Sequence, residues 1–257
     1  MRVPCFPPRA VEEVDRVRER HAGGRFTDLD DPRGRHSPPP RTPGDGSSSP
    51  SPSASASSPR AKESSTGHQV AKSGTGIFST AAADGGPVGK GTIRRYTVQV
   101  EGGTGISASA AAKEITDILG DRRGWTANGH DGFQLVSSGP IDFEVKIATP
   151  DTVDQICGAA GLHTRGEVNC NVGDQVIVNL KRWLTGSPQF PGPLSEYRAL
   201  IINHEVGHRI GHGHEGCPGP GRPAPAMMQQ IDGLQGCRAN AWPYNTSGVY
   251  LRGPSMP

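Results

Sequence analysis

Tyr96, Val98 and Val100 alternate with Arg95, Thr97 and Gln99, a period-two run that predicts a strand with one buried face. Gly102 and Gly103 end it. The period then lengthens: Ala110, Ala111, Ile115 and Leu119 share one face of a helix predicted over residues 107–119, with Ser107 available as N-cap and Gly120 as the stop. Phe133-Gln134-Leu135-Val136 and Phe143-Glu144-Val145-Lys146-Ile147 read as two further strands separated by the turn Ser138-Gly139-Pro140, and residues 175–180 as a fourth. A long helix is predicted over about residues 194–210, introduced by Pro191 and Pro193 and stopped by Gly211. The expected fold is one mixed α/β domain (α+β) over residues 90–257, a mixed twisted sheet with a backing helix and a second helix that carries the chemistry.

Residues 1–89 look different. Ser and Pro fill most of positions 41–60, and the run Ser47-Ser48-Ser49-Pro50-Ser51-Pro52 is low-complexity by composition alone. With 36 Gly, 24 Pro and only 33% hydrophobic residues, the chain cannot offset its conformational entropy everywhere, and the deficit falls here. Val11, Val14 and Val17 have helical spacing, but ten residues are too few for a stable helix in water. The expectation is a disordered Pro/Ser/Gly-rich region and tether, with order beginning near Gly91.

A net charge of +2 without a dense Lys/Arg stripe gives no reason to expect nucleic acid. No run approaches the ~20 apolar residues that span a bilayer, so no transmembrane segment is expected. The opening Met1-Arg2-Val3-Pro4-Cys5 lacks the apolar core of a signal peptide. The cysteines point outward all the same. Cys157 lies near Cys170 and Cys217 near Cys237, leaving Cys5 alone. Four cysteines allow three pairings, of which the two local ones are the most natural; buried free thiols are the alternative. Disulfides would imply an oxidising compartment.

Within the last predicted helix sits His204-Glu205-Val206-Gly207-His208, the H-E-x-x-H arrangement. Residues four apart share a helix face, so both imidazoles can reach one ion. Tyr197, Leu200 and Ile201 continue the same stripe, which turns the histidines inward. Glu205 is offset by one residue, well placed for a water on the metal rather than for the metal itself. Gly211 can take a left-handed turn that swings His214 back as a third ligand, and three histidines with one open position define a catalytic zinc site. His212 competes with His214 for that place. The cysteines form no C-x-x-C pair, and there is no G-x-S-x-G elbow, so nothing supports a serine or cysteine nucleophile.

The span His204 to His214 resembles the extended zinc-binding signature of metzincins, and Met227 in Pro225-Ala226-Met227-Met228 resembles their Met-turn residue. Residues from about Arg94 to Pro243 are, more closely, similar to an uncharacterised actinobacterial family of envelope-associated zincin-like domains that follow an export segment and a Pro/Ser/Thr-rich tether. His214-Glu215 is similar to the astacin form of the signature, except that Gln229 stands where astacins carry a tyrosine. Tyr244 and Arg238 are then candidates for stabilising an oxyanion. The resemblance implies a zincin-like metzincin fold, Zn2+ held by His204, His208 and His214, and Glu205 as catalytic base. It further implies a monomeric metallopeptidase, extracellular or in the cell envelope, acting on protein or peptide. A non-catalytic zinc-stabilised binding domain and a cell-wall peptide amide hydrolase are the rival expectations.

Overall fold

A computed structural model of the protein describes residues 70–256. Cys5, the Val11–Val17 stripe and the Ser/Pro-rich run lie outside the described residues.

The strands are β1 (Phe78–Thr80), β2 (Val88–Gly89), β3 (Thr92–Glu101), β4 (Asp131–Leu135), β5 (Phe143–Ala148), β6 (Cys170–Val172) and β7 (Gln175–Asn179). They form one mixed sheet in the order β2-β4-β3-β5-β7-β6, with β1 paired to the end of β3. The central pairs β4-β3, β3-β5 and β5-β7 are parallel, and the flanking pairs are antiparallel. Parallel neighbours need a crossover. Helix α1 (Ala108–Gly120) supplies it between β3 and β4, and α2 (Pro150–Ala159) lies between β5 and β7. Helix α3 (Leu180–Thr185) then leads to α4 (Leu194–Arg209).

The main core lies between one sheet face and the pair α1 and α4, where Tyr96, Val98, Val145, Ile147, Val176 and Val178 meet Ile115, Leu119 and Ile202. On the opposite face α2 packs Val153 and Cys157 against Ile177 and Cys170. β7 is therefore buried on both faces, which explains its unbroken Val176-Ile177-Val178 run. As expected, Ser107 caps α1 by accepting the Ala110 N–H at 3.3 Å. Both local cysteine pairs are disulfides, with Cα–Cα distances of 6.4 Å for Cys157–Cys170 and 5.8 Å for Cys217–Cys237. The first staples β6 to α2 and the second closes the loop carrying Met227. Among the described residues no helix is long and apolar enough to cross a membrane.

The domain does not begin at residue 90. β1 and β2 precede that boundary and pair with β3 and β4, and Val70, Ala71, Ala81 and Ala83 pack on the main core. Strands of three and two residues are too short to show a period, and the small residues around them resemble tether.

Glu101 makes this N-terminal segment part of the fold. One carboxylate oxygen accepts from Thr149 N and Oγ1 at 2.8 and 2.9 Å, the other from Gly76 N and Thr152 Oγ1 at 2.8 and 2.7 Å. The pairing joins Gly76 to the N-terminus of α2, where a negative charge also meets the helix dipole. Burial alone would push this carboxyl up; the hydrogen bonds from Thr149, Thr152 and Gly76 outweigh it and hold the group below its ordinary 4.5. A depressed folded pKa contributes stability that is complete above the ordinary value and is lost as pH falls through the folded one. Glu101→Ala, which strands four donors, is expected to cost about 3 kcal/mol at neutral pH. Urea midpoints should show this difference shrinking as pH drops below about 4.5. Stability curves for parent and variant that stay parallel across that window would remove Glu101 from this role.

Candidate metal centre

Helix α4 carries the site because its apolar stripe fixes its rotation. Tyr197, Leu200, Ile201 and Ile202 are buried in the main core. Asn203 locks the next turn: its Nδ2 donates to Ala241 O at 3.0 Å, and its own carbonyl accepts the Trp125 Nε1–H at 2.8 Å. His204 and His208 then project from one face, with ring centroids 4.8 Å apart. The helix ends as the spacing predicts. Gly211 adopts φ +99°, and the His212 N–H returns to Gly207 O at 2.9 Å. The reversed chain brings His214 Nε2 to 3.1 Å from His208 Nε2, which lies 3.2 Å from His204 Nε2.

The tautomers follow from the far side of each ring. His204 Nδ1 lies 2.9 Å from Ala226 O and His208 Nδ1 lies 2.9 Å from His212 O. A carbonyl only accepts, so both Nδ1 atoms carry the proton. In the neutral rings both Nε2 atoms then present bare lone pairs to each other, an arrangement that a cation between them resolves. Burial keeps the rings neutral: it lowers His204 to about 3 and holds His208, His212 and His214 below the ordinary imidazole value. The ligand atoms of His204, His208 and His214 all lie within 4.8 Å of one another, a set that could hold a metal ion. Neutral imidazoles fixed by carbonyl acceptors are the donor chemistry of such a site.

Met227 is fully buried in the main core, with its sulfur against Gly207 of α4. A Cβ on Gly207, between the two helix histidines, would come within 2.3 Å of Met227 Sδ and 2.8 Å of the Trp125 ring. The turn and the helix thus touch across a glycine.

Glu205 is 6% exposed, and burial pushes its carboxyl up to about 8. It borders two cavities. The larger, about 430 Å³, is lined by the three histidines, Glu205, Asn171 and Gln229, among others. The smaller, about 100 Å³, is walled by Tyr197, Leu200, Ile201, Met228 and Ile231. Cys170 and Asn171 place the edge strand β6 on the rim of the larger one.

Neither oxyanion candidate reaches these cavities. Tyr244 packs edge-on against Trp125 at 6.5 Å and tilts on Tyr250, while Arg238 is exposed and donates to Gly221 O at 2.9 Å. The polar groups that do line the space are Asn169, Asn171, Thr164, His163 and Gln229, and of these only Gln229 drew attention in the sequence. His212 stands outside this cluster: its carbonyl holds His208, and its ring stacks on Trp125 at 4.2 Å.

Fold and site together define an α+β protein with a three-histidine centre set into one helix and the loop that follows it. The chain belongs to the family described as "Protein of unknown function (DUF3152)", whose profile matches residues 64–236 and so takes in all three histidines, Glu205 and Met227. Two curated relatives are the large ribosomal subunit protein uL1 of Ralstonia pickettii (strain 12J) and that of Ralstonia nicotianae (strain ATCC BAA-1114 / GMI1000). Each is 28% identical over 172 residues, 65% of this chain and 63% of the relative. The chain thus spans less than two thirds of either relative's length. No solved structure matches it.

Proposed function

We propose that this domain is a zinc-dependent peptide hydrolase that works outside the cytoplasmic membrane, with a zincin-like metzincin site. The observation that carries the reading is the pair of carbonyl-held imidazoles whose bare Nε2 atoms converge on a cavity that the buried Glu205 carboxyl also lines. His204, His208 and His214 would hold the ion. When bound, zinc supplies Lewis acidity, lowering the pKa of a water toward ~7 and polarising a carbonyl. With a cation beside it offsetting the burial that otherwise keeps its carboxyl protonated, Glu205 would take the proton of the attacking water and deliver it to the leaving nitrogen. Its burial keeps bulk water from competing for that proton.

A peptide suits the surroundings. The outer edge of β6 can take an extended segment by backbone hydrogen bonds, and the smaller cavity offers an apolar wall for one side chain. Two disulfides favour an oxidising compartment, hence secretion or the cell envelope. A ribosomal role, suggested by the printed name of the two Ralstonia relatives, draws no support from this site.

The test is cleavage of a peptide library and of cell-wall stem peptides by the purified chain, with and without a zinc chelator. Cleavage that stops with chelator and returns with zinc is expected. Protein that holds one zinc per chain yet cuts neither class would overturn hydrolysis in favour of a zinc-stabilised binding domain, and cutting of stem peptides alone would move the substrate to the cell wall.

A further inference from the structure

Glu215 directly follows the third histidine, and the chemistry above gives it no task. Its backbone N–H and its two carboxylate oxygens reach two other parts of the chain. The backbone N–H donates to Met227 O at 3.1 Å. One carboxylate oxygen accepts the Tyr250 hydroxyl at 2.8 Å, and the other accepts the Gly253 N–H at 2.9 Å. Around these contacts residues 250–256 lie along residues 214–216. Met256 N donates to His214 O at 2.9 Å, Gly216 N donates to Pro254 O at 2.8 Å, and Glu215 pairs with Ser255 in an antiparallel bridge. The Tyr250 ring lies 6.0 Å from His212 and 6.1 Å from Trp125, the two rings beside the carbonyl that fixes His208.

None of this support comes from α4. The helix fixes His204 and His208, whereas His214 sits beyond its end in a loop holding Gly211, Gly213 and Gly216. Such a loop has little torsional restraint of its own, so ordering it would weigh against each binding event. Contacts that order it beforehand remove that cost.

We propose that Glu215 is a positioning residue: it latches the strap of residues 250–256 onto the third-ligand loop and so holds His214 in place to close the metal centre. This rests on the metal reading of the site. The strap lies beyond the residues 64–236 that the family profile matches. In this chain, then, the third ligand is steadied by a segment outside that match.

The experiment compares the full chain with Glu215→Ala, Glu215→Gln and Tyr250→Phe. It follows zinc release into a chromophoric chelator, the visible spectrum of the Co2+-substituted protein, and thermal unfolding of the metal-free forms. Release about tenfold faster is expected for Glu215→Ala, with altered cobalt bands. Glu215→Gln, which keeps one acceptor, and Tyr250→Phe, which deletes one bond, should fall between that variant and the parent. A merely structural contact would lower the unfolding temperature and leave release and spectrum at parental values, and that result overturns the latch. If Glu215→Ala fails to fold, parental release in both milder variants overturns it equally. A parent that binds neither zinc nor cobalt would sink the metal reading and the latch together, whereas variants that match a zinc-loaded parent sink the latch alone.

Discussion

Glu205→Gln is expected to retain about one zinc per chain and to lose peptide hydrolysis by roughly 10²–10⁴-fold, the range a positioned general base supplies. The substitution is close to isosteric and leaves the three imidazoles, and the carbonyl partners of His204 and His208, intact. What it removes is the group able to take and return a proton. Glu205 borders both cavities and is nearly closed to bulk solvent, so no neighbouring carboxylate stands ready to replace it among the residues lining the larger one. Metal content by inductively coupled plasma and single-turnover cleavage would be measured on the same preparation. Hydrolysis at the parental rate in the zinc-loaded variant would take the base role away from Glu205.

His214→Ala is expected to weaken zinc binding by orders of magnitude, and His212→Ala only mildly. Had α4 continued, His204, His208 and His212 would form a straight row with its ends ~12 Å apart, because the rise is ~1.5 Å per residue. No single ion spans that row. Instead α4 ends at Arg209 and the turn at Gly211 directs His214 Nε2 to His208 Nε2. Removing the His212 ring leaves intact the carbonyl that accepts from His208, since that acceptor is backbone, and forfeits the ring's contacts with Trp125 and Tyr250. Matched zinc titrations decide the matter. A larger loss from His212→Ala would remove His214 from the ligand set.

The legible parts of the fold were those with a sustained period. β3, α1, β4, β5 and α4 each repeat an apolar position often enough to declare their type, β7 shows instead as an unbroken apolar run, and Ser107 and Gly211 marked ends that the backbone confirms. β1 and β2 have three and two residues and draw their hydrogen bonds from partners far along the chain, and β6 has three residues in a tight hairpin with β7, so none of them shows a sustained period. Helix α2 shows only Pro150, Val153 and Cys157 on its buried side, too sparse a stripe to separate from loop. At the site, the three histidines were legible because one helix and one turn bring them together. The groups that orient them were not: Ala226 and His212 act through carbonyls, which leave no mark in the choice of side chain. Tyr244 and Arg238 failed as oxyanion candidates for the converse reason. Their chemistry was suitable, but only tertiary packing decides where a loop side chain ends up.

The contact at Gly207 narrows what can count as the same motif. Of the two free positions in H-E-x-x-H, Val206 is wholly buried, and Gly207 faces the Met227 sulfur and the Trp125 ring with no room for a methyl group. Even alanine there would have to part helix from turn, an overpacking that costs about 1–3 kcal/mol and pulls His204 away from the Ala226 carbonyl that orients it. A search for chains that share this architecture should therefore ask for H-E-x-G-H together with a tryptophan some 80 residues upstream. A sequence with any larger residue at the fourth position would need a different packing against this turn of the helix, whatever else it shared.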